Sequence, residues 1–103
     1  MNAFLQSSLQ TEFFALAVKA GALLFGTYIT KAGRDSPYFF NAGKFSTGAA
    51  TSQLCRLYAT TILASNLGQT ALYGPAYKGI PLAAGVAAKL SELFRNWIRQ
   101  KLD

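Results

Sequence analysis

The sequence contains no histidine, one cysteine and only four carboxylates in 103 residues, and each shortage removes a class of chemistry. Without histidine, the commonest general base and the commonest metal ligand are both missing. A lone thiol can build neither a zinc site nor an internal disulfide. Cys55 sits among apolar and helix-forming residues, which predicts a reduced compartment and a packing role. The acidic residues Glu12, Asp35, Glu92 and Asp103 are too far apart in the chain to form an adjacent pair or share a helical face, so a dicarboxylate or two-metal hydrolytic centre has no basis. Serines and threonines are plentiful, but no histidine can activate them and no G-x-S-x-G turn is present, which excludes acyl transfer of the triad type.

Long apolar runs are also scarce. The most apolar stretch, Phe13 to Thr30, is interrupted by Lys19, Gly21 and Gly26, and Met1 to Glu12 carries no basic flank. A signal peptide and a transmembrane helix both fit poorly. With no lipidation or retention motif at either end, the expected location is the cytoplasm. No internal repeat, low-complexity tract or linker divides the chain, so a single domain over residues 1–103 is expected.

What is present is apolar and basic. The apolar fraction is 51% and the charged fraction 14%, a composition that folds or aggregates but does not stay disordered. Ten basic residues against four acidic ones give a net charge of +6, which favours anionic partners without choosing among phosphate, nucleic acid and acidic lipid.

Leu9, Phe13, Leu16, Ala20 and Leu23 recur at steps of three and four and predict a helix from Leu9 to Leu24, with Thr11 as its cap and Gly21 weakening its end. Phe25 to Thr30 and Pro37 to Asn41 have strand composition and flank the polar turn 31–36, which predicts an antiparallel hairpin. Ser46 or Thr47 can cap a second helix running to about Ser65, with Leu54, Leu57, Tyr58 and Ile62 as its buried face and Asn66 and Gly68 as its stop. A short apolar run, Ala71-Leu72-Tyr73, then meets the tight sequence Gly74-Pro75-Ala76-Tyr77-Lys78-Gly79-Ile80-Pro81, after which a third, amphipathic helix carries Leu82, Val86, Leu90, Leu93, Trp97 and Ile98 on one side. Strand, glycine-rich loop and helix in this order open an α/β unit.

Two segments could carry chemistry. The glycines of 74–81 let backbone N–H groups approach phosphate oxygens at the start of a helix, and Lys78 adds a point charge; the same pattern also describes an ordinary βα turn. Lys31, Gly33 and Arg34 lie beside the aromatic run Tyr38-Phe39-Phe40, an arrangement suited to a planar anion stacked on a ring, although exposed basic turns are common in proteins that bind nothing.

Lys31-Ala-Gly-Arg-Asp-Ser-Pro-Tyr-Phe-Phe-Asn-Ala-Gly43 and Gly74-Pro-Ala-Tyr-Lys-Gly-Ile-Pro81, in this order and at this separation, resemble two signatures of the orotate phosphoribosyltransferase family. The resemblance runs from about Glu12 to Leu90; residues 91–103 diverge as an amphipathic helical tail. It implies an α/β protein with part of a type I phosphoribosyltransferase fold, in which an N-terminal helix and hairpin precede the first units of a parallel sheet. It also implies a reaction in pyrimidine biosynthesis, in which orotate displaces diphosphate from phosphoribosyl pyrophosphate to give orotidine 5'-monophosphate, with Mg2+ carried on the diphosphate. Phe39 and Phe40 would contact the orotate ring, and Lys31, Tyr77 and Lys78 would bind phosphoribosyl pyrophosphate; no catalytic residue is assigned. An uncommon cis peptide is expected near Ala76-Tyr77. Family members are homodimers about twice as long as this chain. They continue into a mobile basic loop and a paired-aspartate strand that hold the ribose, and neither occurs in these 103 residues. The chain is therefore expected to be a truncated form with little or no turnover, without nucleic-acid or membrane partners. The alternative is a noncatalytic basic module whose loops and Trp97 helix engage nucleic acid or an acidic membrane surface.

Overall fold

The computed structural model describes residues 2–65 and 71–102, the side chain of Leu102 excepted. The chain runs α1 (Ala3–Ala20), β1 (Leu23–Ile29), β2 (Asp35–Phe40), a 3-10 turn (Ala42–Lys44), α2 (Gly48–Ala64) and α3 (Gly79–Leu102).

The first helix starts six residues before the expected Leu9. Asn2 caps it, its side chain accepting a hydrogen bond from the Leu5 N–H at 2.7 Å, and no breaker follows before Gly21. Thr11, expected as the cap, lies inside the helix and donates its hydroxyl to the Ser7 carbonyl at 3.0 Å, the usual recourse of a threonine in that setting. The apolar stripe marked only the part of the helix that has a neighbour, since Leu16 is buried while Phe4 is 85% exposed. Gly21 ends the helix in the left-handed conformation, with φ 77°, open to glycine at little cost. Leu23 and Leu24 consequently leave the helix and enter β1.

The hairpin forms as expected, with both strands beginning two residues early. Leu23 pairs with Phe40, Leu24 with Phe39 and Phe25 with Tyr38; beyond an irregularity, Tyr28 pairs with Ser36 and Ile29 with Asp35. Gly26 and Thr27 thus oppose the single residue Pro37, a bulge placed where proline cannot donate to the ladder. Thr30 closes the turn: its N–H donates to the Arg34 carbonyl at 2.9 Å, and its carbonyl accepts from the Gly33 N–H at 2.8 Å. At the other end the Asn41 N–H donates to the Ala22 carbonyl at 2.7 Å, tying the hairpin base to the end of α1.

Thr47 caps α2, its hydroxyl accepting from the Ala50 N–H at 3.0 Å. The expected stop at Asn66 and Gly68 lies outside the described residues. Residues 71–73, expected as a strand, take no strand conformation, and among the described residues the sheet consists of β1 and β2 alone. The expected parallel sheet is therefore not formed there. A lone extended segment has no ladder to join, and Leu72 packs instead against the cluster between α2 and α3. The third helix begins at Gly79, two residues before Pro81, because the Gly79 and Ile80 N–H groups bond back to the carbonyls of Pro75 and Tyr77. Pro81 then occupies the first turn, where its missing N–H costs nothing.

Two clusters make the core, and α2 contributes to both. Leu16, Leu54 and Leu57 pack between α1 and α2 with Leu9 and Phe45 against them. Cys55, Ala59 and Val86 pack between α2 and α3 with Ile62, Leu72 and Leu90 against them. Leu82 touches both clusters. Tyr58, expected on the buried face, is exposed; Cys55 and Ala59 take that place because only small side chains let α3 come close. A Cβ on Gly85 would meet Cys55 Sγ at 2.6 Å. Glu12 and Arg56 add an ion pair between α1 and α2 at a part-buried position.

Covering is thin elsewhere. The accessible surface is 7738 Å², against about 5,700 Å² for a monomeric protein of this mass, and the radius of gyration is 15.9 Å, against about 13 Å for a compact domain of this length. No helix among the described residues is long and apolar enough to cross a membrane.

The Gly85–Cys55 contact makes a testable pair. Gly85→Ala gains roughly 1 kcal/mol of helix propensity but overpacks the crossing at a cost of about 1–3 kcal/mol. Urea unfolding should show Gly85→Ala less stable than wild type, and more stable when added to Cys55→Ala.

Burial also pushes the Cys55 thiol above its ordinary range, and Lys89 offsets this in part. The folded state then holds a neutral thiol that the unfolded chain ionises above about pH 8.5. Stability from this group is complete below that pH and declines above it. Between pH 7.5 and 9.5 the urea midpoint of wild type should fall further than that of Cys55→Ala, and the native thiol should react with a disulfide reagent at least about tenfold more slowly than the unfolded one.

Candidate functional site

The loop 74–79 is built by contact between its own ends. A Cβ on Gly74 would lie 1.9 Å from the Gly79 carbonyl oxygen and 2.8 Å from Ala83 Cβ, and one on Gly79 would lie 2.7 Å from Pro75 Cδ. Glycine at both positions is what lets the chain return on itself within five residues. The Gly79 N–H donates to the Pro75 carbonyl at 2.9 Å and the Ile80 N–H to the Tyr77 carbonyl at 3.1 Å. The Ala76–Tyr77 peptide is cis, at the position expected from the sequence. Tyr77, 88% exposed, and Lys78, also exposed, project from this closed bend. Beneath it a cavity of about 160 Å³ is lined by Tyr58, Ile62, Leu72, Tyr73 and the first turns of α3.

The aromatic residues of β2 alternate across the hairpin, as successive strand residues must. Phe40 lies towards α1, with ring centroids 6.3 Å from Phe13 and 6.2 Å from Phe45. Phe39 takes the other face, 5.7 Å from the Tyr28 ring. Both keep nearly half of their surface exposed, at 46% for Phe39 and 43% for Phe40. Lys31 sits in the exposed turn at the tip of the hairpin, whereas Phe39 and Phe40 sit at its base; five residues of strand, about 17 Å, separate the two ends.

The structure thus brings Tyr77 and Lys78 together on one loop and Phe39 and Phe40 onto one strand. The cavities that flank α2 and the loop are lined by no residue of the hairpin, so the two motifs share no pocket wall there. Among the described residues no three of His, Cys, Asp and Glu gather as a metal-binding group.

The sequence pointed to the loop glycines as openings for phosphate. It gave no signal that two of them meet each other, because a contact across five residues depends on the path of the bend and not on composition.

Helix, antiparallel hairpin, capped helix, glycine-closed loop with a cis peptide, and helix follow one another in an α/β arrangement. No family model matches the chain. Curated relatives do: the chain is 53% identical over 90 residues to the orotate phosphoribosyltransferase of Ralstonia nicotianae, covering 87% of this chain and 40% of that protein. It is 52% identical over 85 residues to that of Cellvibrio japonicus, covering 82% of this chain and 40% of that protein. A crystal structure of orotate phosphoribosyltransferase from Francisella tularensis superposes with a TM-score of 0.73 at 48% identity, covering 77% of this chain and 38% of that one. The chain spans about 40% of the length of the curated relatives it matches. Over that span its sequence and its fold are similar to those of the orotate phosphoribosyltransferases that it matches.

Proposed function

We propose that this chain supplies the base-contacting and diphosphate-contacting portion of an orotate phosphoribosyltransferase acting in the cytoplasm on orotate and phosphoribosyl pyrophosphate. The observation that carries the proposal is the closed loop of Gly74 to Gly79, with Tyr77 and Lys78 exposed on it, in a chain just over half identical to enzymes of that name.

The chemistry asks for little that the chain lacks. Breaking the bond from the ribose anomeric carbon to diphosphate builds positive charge on the ribose and negative charge on the leaving group. The chief requirement is therefore stabilisation of charge and alignment of the base, not a strong base. In this reading the Lys78 ammonium and the amides of its loop take up charge on the diphosphate, with Lys31 and Tyr77 contributing further contacts. Phe39 and Phe40, each nearly half exposed at the hairpin base, are the contacts proposed for the flat orotate ring. The magnesium ion belongs to the substrate and reaches the loop with the diphosphate. The surface in excess of a compact monomer, about 2,000 Å², is ample for the roughly 800 Å² per partner of a homodimer.

The cavities beside α2 and the loop have no hairpin residue in their walls among the described residues, and the two ligands are accordingly expected to bind separately to the 103-residue chain, with transferase turnover below detection. In calorimetric titrations, Lys78→Ala should weaken magnesium diphosphate about tenfold, the loss of one charge-assisted contact, and leave orotate unchanged. Phe39→Ala should weaken orotate and leave diphosphate unchanged. Absence of diphosphate binding by wild type at millimolar concentration sinks the assignment of the loop; equal orotate affinity in wild type and Phe39→Ala sinks that of the strand.

A further inference from the structure

The geometry points to Gly74 and Gly79 as a pair of positioning residues, whose mutual backbone contact fixes the bend that presents Tyr77 and Lys78. The inference rests on the diphosphate reading of that loop. It adds a separate statement, that affinity depends on the closure of the loop mouth as well as on the charge at its tip.

Three observations converge. The first is distance: a Cβ on Gly74 would be 1.9 Å from the Gly79 carbonyl oxygen and 2.5 Å from its carbon. Both are backbone atoms of a residue that opens a helix, so they cannot turn aside as a side chain would. Reaching even a 3.0 Å contact requires the mouth to open by more than 1 Å. The second is reciprocity, since a Cβ on Gly79 would meet Pro75 Cδ at 2.7 Å and the Gly74 carbonyl carbon at 3.0 Å. Neither end has room to yield into the other. The third is that the residues between are held only through these ends. Within the bend, the Gly79 N–H donates to the Pro75 carbonyl and the Ile80 N–H to the Tyr77 carbonyl, while the side chains of Tyr77 and Lys78 are exposed and lack packing that could set their direction. Opening the mouth therefore displaces the tip. Displacement on that scale weakens the charge-assisted contact that Lys78 makes, whose complete loss is worth about tenfold in affinity.

The contact is distinct from the other tight glycine of α3. Gly85 lies six residues further along and meets a side-chain atom, Cys55 Sγ, so substitution there strains the crossing of α2 and α3 without touching the mouth of the loop.

Calorimetric titration of the 103-residue chain with magnesium diphosphate tests this, each variant being held at a temperature where circular dichroism shows it folded. Gly74→Ala is expected to bind up to about tenfold more weakly than wild type, whereas Gly85→Ala lowers the unfolding temperature and keeps wild-type affinity. Should Gly74→Ala not fold, Gly79→Ala decides: it is expected to lose affinity, and the double variant Pro75→Ala/Gly79→Ala, which removes the ring that Gly79→Ala meets, to recover part of it. Wild-type affinity in the glycine variants, with Lys78→Ala still impaired, overturns the positioning role and leaves the diphosphate reading intact. Affinity lost equally in Gly85→Ala also overturns it, since the effect would then follow stability alone. No binding by wild type overturns the diphosphate reading itself.

Discussion

The close approach of α2 and α3 is the constraint on which the remaining structure depends. It exists because three positions at the crossing are small: Cys55 and Ala59 on α2, and Gly85 on α3. Once α3 is seated there, its first turn stands beside Leu72 and Tyr58, and the loop before it must fold back over a very short span to reach Gly79. The bend that carries Lys78 is in this sense a product of helix packing.

On its other side α2 meets α1 through leucines, and the hairpin is attached to α1 near its base, through the Asn41–Ala22 hydrogen bond and the rings of Phe40 on Phe13 and Phe25 on Phe14. The hairpin turn with Lys31 and Arg34 extends from the packed part of the chain, while Phe40 at the base sits against it. The diphosphate end and the base end of the proposed site are supported by different clusters, joined through α2 and through Leu82 of α3, which touches both.

Much of this was legible in the residues, and the exceptions have physical causes. The cap at Thr47, one of two that the sequence offered, the hairpin turn and the amphipathic third helix follow from local rules that need no partner, whereas Gly21, expected only to weaken the first helix, ends it. The start of α1 was misplaced because an apolar stripe reports a neighbour, whereas helix formation responds to the Asn2 cap. Ala71 to Tyr73 has strand composition, but a strand needs an adjacent ladder, which the described residues do not provide. Tyr58 lies at a helical spacing that suited burial, yet the space beside α2 belongs to residues small enough to admit α3. For the site, side-chain chemistry at Phe39, Phe40, Lys31, Tyr77 and Lys78 could be singled out from motifs. The separation of hairpin from loop, and the meeting of Gly74 with Gly79, are matters of path through space that no local pattern records.

The bulge at Pro37 has a further consequence for a ribbon of two strands. Such a ribbon has two open borders, each able to accept a stray strand from another molecule. The extra residue opposite Pro37 bends the ribbon away from the flat form that stacking requires. The hairpin thus carries its own protection against fibril-like association, in a molecule whose apolar surface would otherwise invite it.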